Sequence, residues 1–146
     1  RMRERIKSFI SLGLKRKIVL IQALGASFYS FILFTFFKKF ARFGKKVDPA
    51  NNEQMPDNRV NDIAWAIQAM GKITPWRSVC RHQAYQAKLL CNYYNIPCLI
   101  FIGFKKNRET QKIEAHAWTG AGSKIITGFC NPDEYIVQNI YRNKWL

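Results

Sequence analysis

A chain of 146 residues, 48% of them hydrophobic, can enclose one real core but not two independent ones, and it is no disordered polymer. Its 24 Lys and Arg against nine Asp and Glu leave a formal charge of +15, which asks for an anionic partner: nucleic acid, an acidic lipid surface or an acidic peptide. The four cysteines, Cys80, Cys91, Cys98 and Cys130, lack the paired spacing of zinc sites, and only His82 and His116 stand beside them, so no structural metal is expected.

The first third reads as helix. Ile6, Phe9, Ile10 and Leu14 share a face, and Lys15, Arg16 and Lys17 lead into an apolar run from Ile18 to Phe37 that Lys38 and Lys39 close. The run has about the length of a bilayer span, roughly 20 residues, but Gln22, Ser27, Ser30 and Thr35 interrupt it and basic residues flank both ends. Two readings stay open: a helix buried by the rest of the domain, or one lying on or in a membrane. The basic start is not followed by a small-residue cleavage site, so the thiols are expected in a reducing cytoplasm, with no disulfide.

Residues 45–58, with Pro49, Asn51, Asn52 and Pro56, read as a polar connection between a helical part over 1–44 and a core over 59–146, within a single domain. Val60, Ile63, Ala64 and Ile67 predict a helix capped by Asp57 or Asn58 and ended by Gly71. A further helix runs from Cys80 to about Tyr94, where Asn95 and Pro97 break it. The pattern then turns to β: Cys98–Phe104, a charged loop, Ile113–Thr119, a hairpin turn around Ala121 and Gly122, and Lys124–Cys130. The tail from 131 reads as a further strand or a closing helix. The fold class is therefore α+β, a helix carrying Cys80 packed on a small antiparallel sheet.

Cys80, Ala84, Ala87, Cys91 and Tyr94 form one helical stripe, with the thiol at the first turn, where unpaired N–H groups and the positive end of the dipole favour a negative sulfur. The Cys80 backbone N–H is a candidate oxyanion donor. His82 is rotated by roughly 200° from Cys80 and is set aside as the base. His116 is the candidate base, on a strand face with Glu114 and Trp118, while Ile113, Ala115, Ala117 and Thr119 point the other way. Thr127 is expected opposite His116, and of the carboxylates beyond it only Asp133 and Glu134 remain. Asp133 reaches the imidazole only if the chain bends after Gly128 or at Pro132. Trp76 and Trp118 are expected to wall the site, and Cys91, Cys98 and Cys130 to be structural thiols.

Trp76 four residues before Cys80, Leu89-Leu90-Cys91-Asn92-Tyr93-Tyr94-Asn95-Ile96-Pro97, a strand ending Ile102-Gly103-Phe104, and Ala115-His116-Ala117-Trp118 together resemble one family. It is the leader-peptide protease of lasso-peptide biosynthesis, a small member of the transglutaminase-like cysteine protease superfamily. The resemblance extends upstream to Leu20-Ile21-Gln22-Ala23-Leu24 and Phe40-Ala41-Arg42-Phe43-Gly44, and downstream to Ile126-Thr127-Gly128. It implies cleavage of a ribosomally made precursor at the leader–core junction, with Cys80 attacking and His116 moving the proton. It implies no cofactor, and as partners the precursor's leader region, a small leader-binding recognition protein and an ATP-dependent cyclase; nucleic acid is not expected, while Ile18–Phe37 leaves membrane association open. The family's catalytic Asp comes from the strand after the His, where this chain has Thr127 and Gly128. Either Asp133 substitutes, or a backbone or hydroxyl group holds the imidazole. Acyl transfer to an amine is the rival reaction, and a basic binding module without catalysis the rival class.

Overall fold

The computed structural model describes residues 1–47 and 58–143. Four helices, α1 (Met2–Ser11), α2 (Leu14–Phe36), α3 (Arg59–Ile73) and α4 (Cys80–Tyr93), accompany one antiparallel sheet. Its strands are β1 (Lys45–Lys46), β2 (Leu99–Lys106), β3 (Ile113–Ala121), β4 (Lys124–Thr127) and β5 (Ile136–Arg142), in the order β1-β5-β2-β3-β4. The architecture is α+β, as the pattern predicts.

The run from Ile18 to Phe37 is neither wholly buried nor free. Val19, Leu20 and Ala23 of α2 enter the main core with Val60, Ile63, Ile67 and Met70 of α3 and Ala87, Leu90 and Cys91 of α4. Ile63 and Ile67 are fully enclosed there, each worth about 2 kcal/mol of burial. The serines that interrupt the apolar run lie on this inner side: Trp76 Nε1 donates to Ser27 Oγ at 2.9 Å, and Gln86 Nε2 donates to Ser30 Oγ at 3.0 Å. Buried polar groups need such partners, so the serines mark where α4 and its preceding loop dock on α2. The outer side of α2, with Ile18, Ile21 and Phe28, is exposed.

Helix ends differ in part from expectation. Gly71 does not end α3, which continues to Ile73. A Cβ at Gly71 would sit 3.2 Å from the Gln83 side chain, so the glycine serves the approach of α4 instead. Asn58 precedes α3 in the α conformation without a side-chain capping bond; Asp57 and the prolines and asparagines of the connection lie outside the described residues. The expected connection opens with a strand, since Lys45 and Lys46 pair with Arg142 and Tyr141. The end of α4 follows the sequence signal. Asn95 is left-handed at φ 55 and the Ile96 N–H reaches back to Cys91 O at 2.8 Å, a Schellman closure just before Pro97.

The tail is a strand: β5 pairs with β2, making β2 the middle of the sheet. Two hydrogen bonds of one side chain tie its end down, because Asn143 accepts from the Cys98 N–H and donates to Ile96 O. The β3–β4 hairpin turns at Gly122–Ser123, with Ala121 opposite Lys124, and a bulge then sets Thr127 opposite Thr119. The expected pairing of Thr127 with His116 is corrected by these two features, which move the register by three residues along β3.

Candidate active site

The loop before α4 is held at several points before it delivers Cys80. Gln83 Nε2 donates to Ser78 O at 3.4 Å, and Gln86 Nε2 to Ser78 Oγ at 3.2 Å. Val79 is extended, and Cys80 is the first helical residue, half-buried. The first-turn N–H groups of a helix have no intrahelical acceptor, so the thiol stands beside donors suited to an anion. Cys80 packs against a cluster of Ala84 from α4, Ile100 from β2 and Ala117 from β3, flanked by Ile102.

The other thiols differ in kind. Cys91 and Cys98 are buried side by side, and the Cys98 thiol is pushed well up, first by its hydrogen bond with Cys91 and then by burial. Burial also pushes the Cys130 thiol up. Raised thiols stay protonated and inert. Cys80 is the one of the four at a helix start.

His116 lies in β3 opposite Gly103. Its ring is stacked with Tyr135 at 5.4 Å and with Trp118 at 6.1 Å, and its Nε2 is 2.9 Å from Gly128 O. A carbonyl oxygen only accepts, so Nε2 carries the hydrogen, and in the neutral ring Nδ1 keeps the lone pair. The group that holds the ring is thus a backbone carbonyl. Asp133 sits exposed in a short 3-10 turn, Pro132–Glu134, where its own N–H donates to Asn131 Oδ1 at 3.2 Å. Thr127, one residue before the carbonyl that takes the bond, has a buried hydroxyl with no partner among the described residues.

Strand alternation separates the two faces of β3. The sequence reading has α4 meet the His116 face, but in the structure Ala84 of α4 packs on Ala117, and His116 shares the opposite face with Trp118 and Phe101. No hydrogen bond links the Cys80 thiol to the His116 ring among the described residues. β4 pairs with β3 only at Thr119–Ala121 and the chain turns off at Gly128, so this edge of β3 is unpaired beside His116. Trp118 is buried beneath Tyr135, whereas Trp76 packs on Phe28 and Phe31 of α2.

His82 has a different task. It is buried, its ring meets Phe34 edge-on, and its Nδ1 accepts the Val79 N–H at 3.2 Å, capping α4. Burial, then Arg81 and Arg77, lower its pKa from the usual 6.5. The unfolded chain therefore takes up this proton first as pH falls. The stability due to neutral His82 is whole above 6.5 and is lost as pH drops from there through the lowered folded value. Melting temperatures from about pH 8 to about pH 5 should fall more steeply for the wild type than for His82→Gln, which keeps an acceptor at this capping position but cannot titrate. Equal slopes would show that the cap does not set the acid sensitivity.

Sequence reasoning missed the Gly128 carbonyl, the Tyr135 stack and the capping role of His82. The only sequence signal for the first was a glycine where a bend was needed; backbone acceptors carry no residue type. A family model described as the transglutaminase-like superfamily matches residues 32–138. No curated protein and no solved structure matches the chain.

Proposed function

The chain belongs to the transglutaminase-like superfamily, typically cysteine proteases or acyltransferases, and on that premise we propose that it is a cysteine peptidase that removes the leader from a lasso-peptide precursor. The observation that supports the catalytic reading is a thiol at the first turn of α4 in a chain whose β3 carries an imidazole with Nε2 against Gly128 O, which leaves Nδ1 to act as the base. The leader specificity rests on the resemblance of the Trp76, Cys80 and Ala115-His116-Ala117-Trp118 context.

In this mechanism the thiol and the ring meet round the unpaired edge of β3. Nδ1 of His116 takes the thiol proton as sulfur attacks the scissile carbonyl, and the Cys80 N–H stabilises the oxyanion. The imidazolium then protonates the leaving amine, which is the new N-terminus of the core peptide. Water, giving its proton to Nδ1, cleaves the thioester and frees the leader as a carboxylate. Trp118 walls the cleft beside the His116 ring, and Trp76, expected there from the sequence, instead fixes the loop before α4 to α2. No cofactor enters. The chain works in the cytoplasm with a leader-binding protein that presents the precursor and an ATP-dependent cyclase that consumes the core, and the +15 charge draws an acidic leader to the cleft.

Mass spectrometry of the precursor incubated with the protein, with and without its leader-binding partner, tests this. Two fragments summing to the precursor plus water support hydrolysis; one heavier product with an added amine would assign acyl transfer instead. Asp133 gives a sharper test within the site. With the ring held by a carbonyl, Asp133→Ala should cleave within about threefold of the wild-type rate. A loss of about a hundredfold would restore Asp133 as the third catalytic member.

A further inference from the structure

The outer face of α2 and the whole of α1 remain unused by the fold and by the cleavage site. α1 has no buried residue, and Met2, Ile6, Phe9 and Ile10 line one side of it, flanked by the exposed Arg5 on one edge and Arg3 and then Lys7 on the other. On α2 the positions Leu14, Ile18, Ile21, Gly25, Phe28 and Phe36 fall on one stripe, outward and opposite the buried Ala23 and Ser30. No charged residue occurs between Lys17 and Lys38, so this stripe runs about 30 Å without a charge and is closed by cations at both ends. An open apolar groove of about 590 Å³ between α1, α2 and α3, with Ile21, Leu24 and Ile73 in its lining, continues it.

We propose that α1 and the outer face of α2 bind the protein flat on an anionic lipid surface. The helix does not cross the bilayer, because its inner side is bonded to the rest of the domain through Ser27 to Trp76 and Ser30 to Gln86. An apolar stripe bordered by basic residues, lying in the plane of the interface, has the chemistry of a monotopic contact, with the cations meeting lipid phosphates. A protein partner fits less well. Protein interfaces carry regular hydrogen bonds, and the midline of this stripe has no polar side chain. A second copy would bring the basic ends of two such faces together.

The test is sedimentation of the full chain with phosphatidylglycerol vesicles and with phosphatidylcholine vesicles, at low and high salt. Binding to the first and not the second, lost at high salt, is expected. Ile6→Glu/Ile21→Glu should weaken it about tenfold or more. Arg3→Glu/Lys7→Glu, on a helix with no buried residue and therefore safe for the fold, should do the same. Precursor cleavage in vesicle-free solution should be unchanged in both variants, so this inference and the peptidase reading fail separately. Variants that bind like the wild type would overturn it. So would a wild type that ignores anionic vesicles, or a dimer dissociated by Ile21→Glu, which would give the face to a second copy.

Discussion

Cys80→Ala is expected to leave the precursor uncut while the protein stays folded. Without sulfur no acyl-enzyme forms, and a hydroxide or water attack assisted by His116 alone is slower by about 10⁴-fold or more, as for other nucleophile deletions. The fold should hardly respond. Cys80 is half-buried at the first position of α4, alanine is the best helix former, and Sγ is a small group at the margin of the Ala84, Ile100 and Ala117 cluster. A stability change within about 1 kcal/mol is anticipated. Cys91→Ala and Cys98→Ala provide the contrast: both thiols are buried in the main core, so these variants should lower the melting temperature and still cut. Cleavage by Cys80→Ala at a rate near that of the wild type would remove the nucleophile assignment, whatever the other variants do.

How far the sequence carried differs by element, for physical reasons. α4 and its stop were legible because local chemistry decides them: a helical stripe of small residues, then Asn95 able to go left-handed and Pro97 unable to continue. The strands were legible as apolar runs, but their register was not. A two-residue turn and one bulge move Thr127 from His116 to Thr119, and both are choices the chain makes only as the hairpin closes. The fate of α2 was undecidable from hydropathy, since a helix that docks one side and exposes the other has the same composition as one that spans. Ser27 and Ser30 mark its docked side only once Trp76 and Gln86 are seen opposite them. His82 was excluded as a base by helical phase, and the same phase turns it to the Val79 N–H and Phe34, where it caps the helix. The third member behind His116 was sought among carboxylates because side chains are what a sequence displays. The acceptor that the structure supplies is Gly128 O, which no residue-type search could name.

That carbonyl makes Gly128→Ala the most damaging single methyl in the site. Gly128 has φ +68, and a Cβ there would lie 2.3 Å from Ala117 O and 3.0 Å from Trp118 Cα and Cβ. These contacts are to β3 itself or to the root of a buried tryptophan, so no flexible side chain can yield. Left-handed strain costs about 1 kcal/mol, and displacement of the backbone adds to it, for a total loss of about 2 kcal/mol or more. The displaced group is the one that fixes the His116 tautomer. With Gly128 O moved, the hydrogen is free to sit on either ring nitrogen and Nδ1 is no longer reserved as the base, so cleavage well below the melting temperature should fall about 10- to 100-fold. Gly122→Ala is the control, because Gly122 shares the positive φ, at 61°, but sits in the β3–β4 turn away from the ring. It should show the strain cost alone and keep its rate. Imidazole ¹⁵N shifts separate the two effects, since they report which nitrogen carries the hydrogen. A Gly128→Ala protein that retains both the Nε2–H tautomer and the wild-type rate would mean that this carbonyl does not position the base.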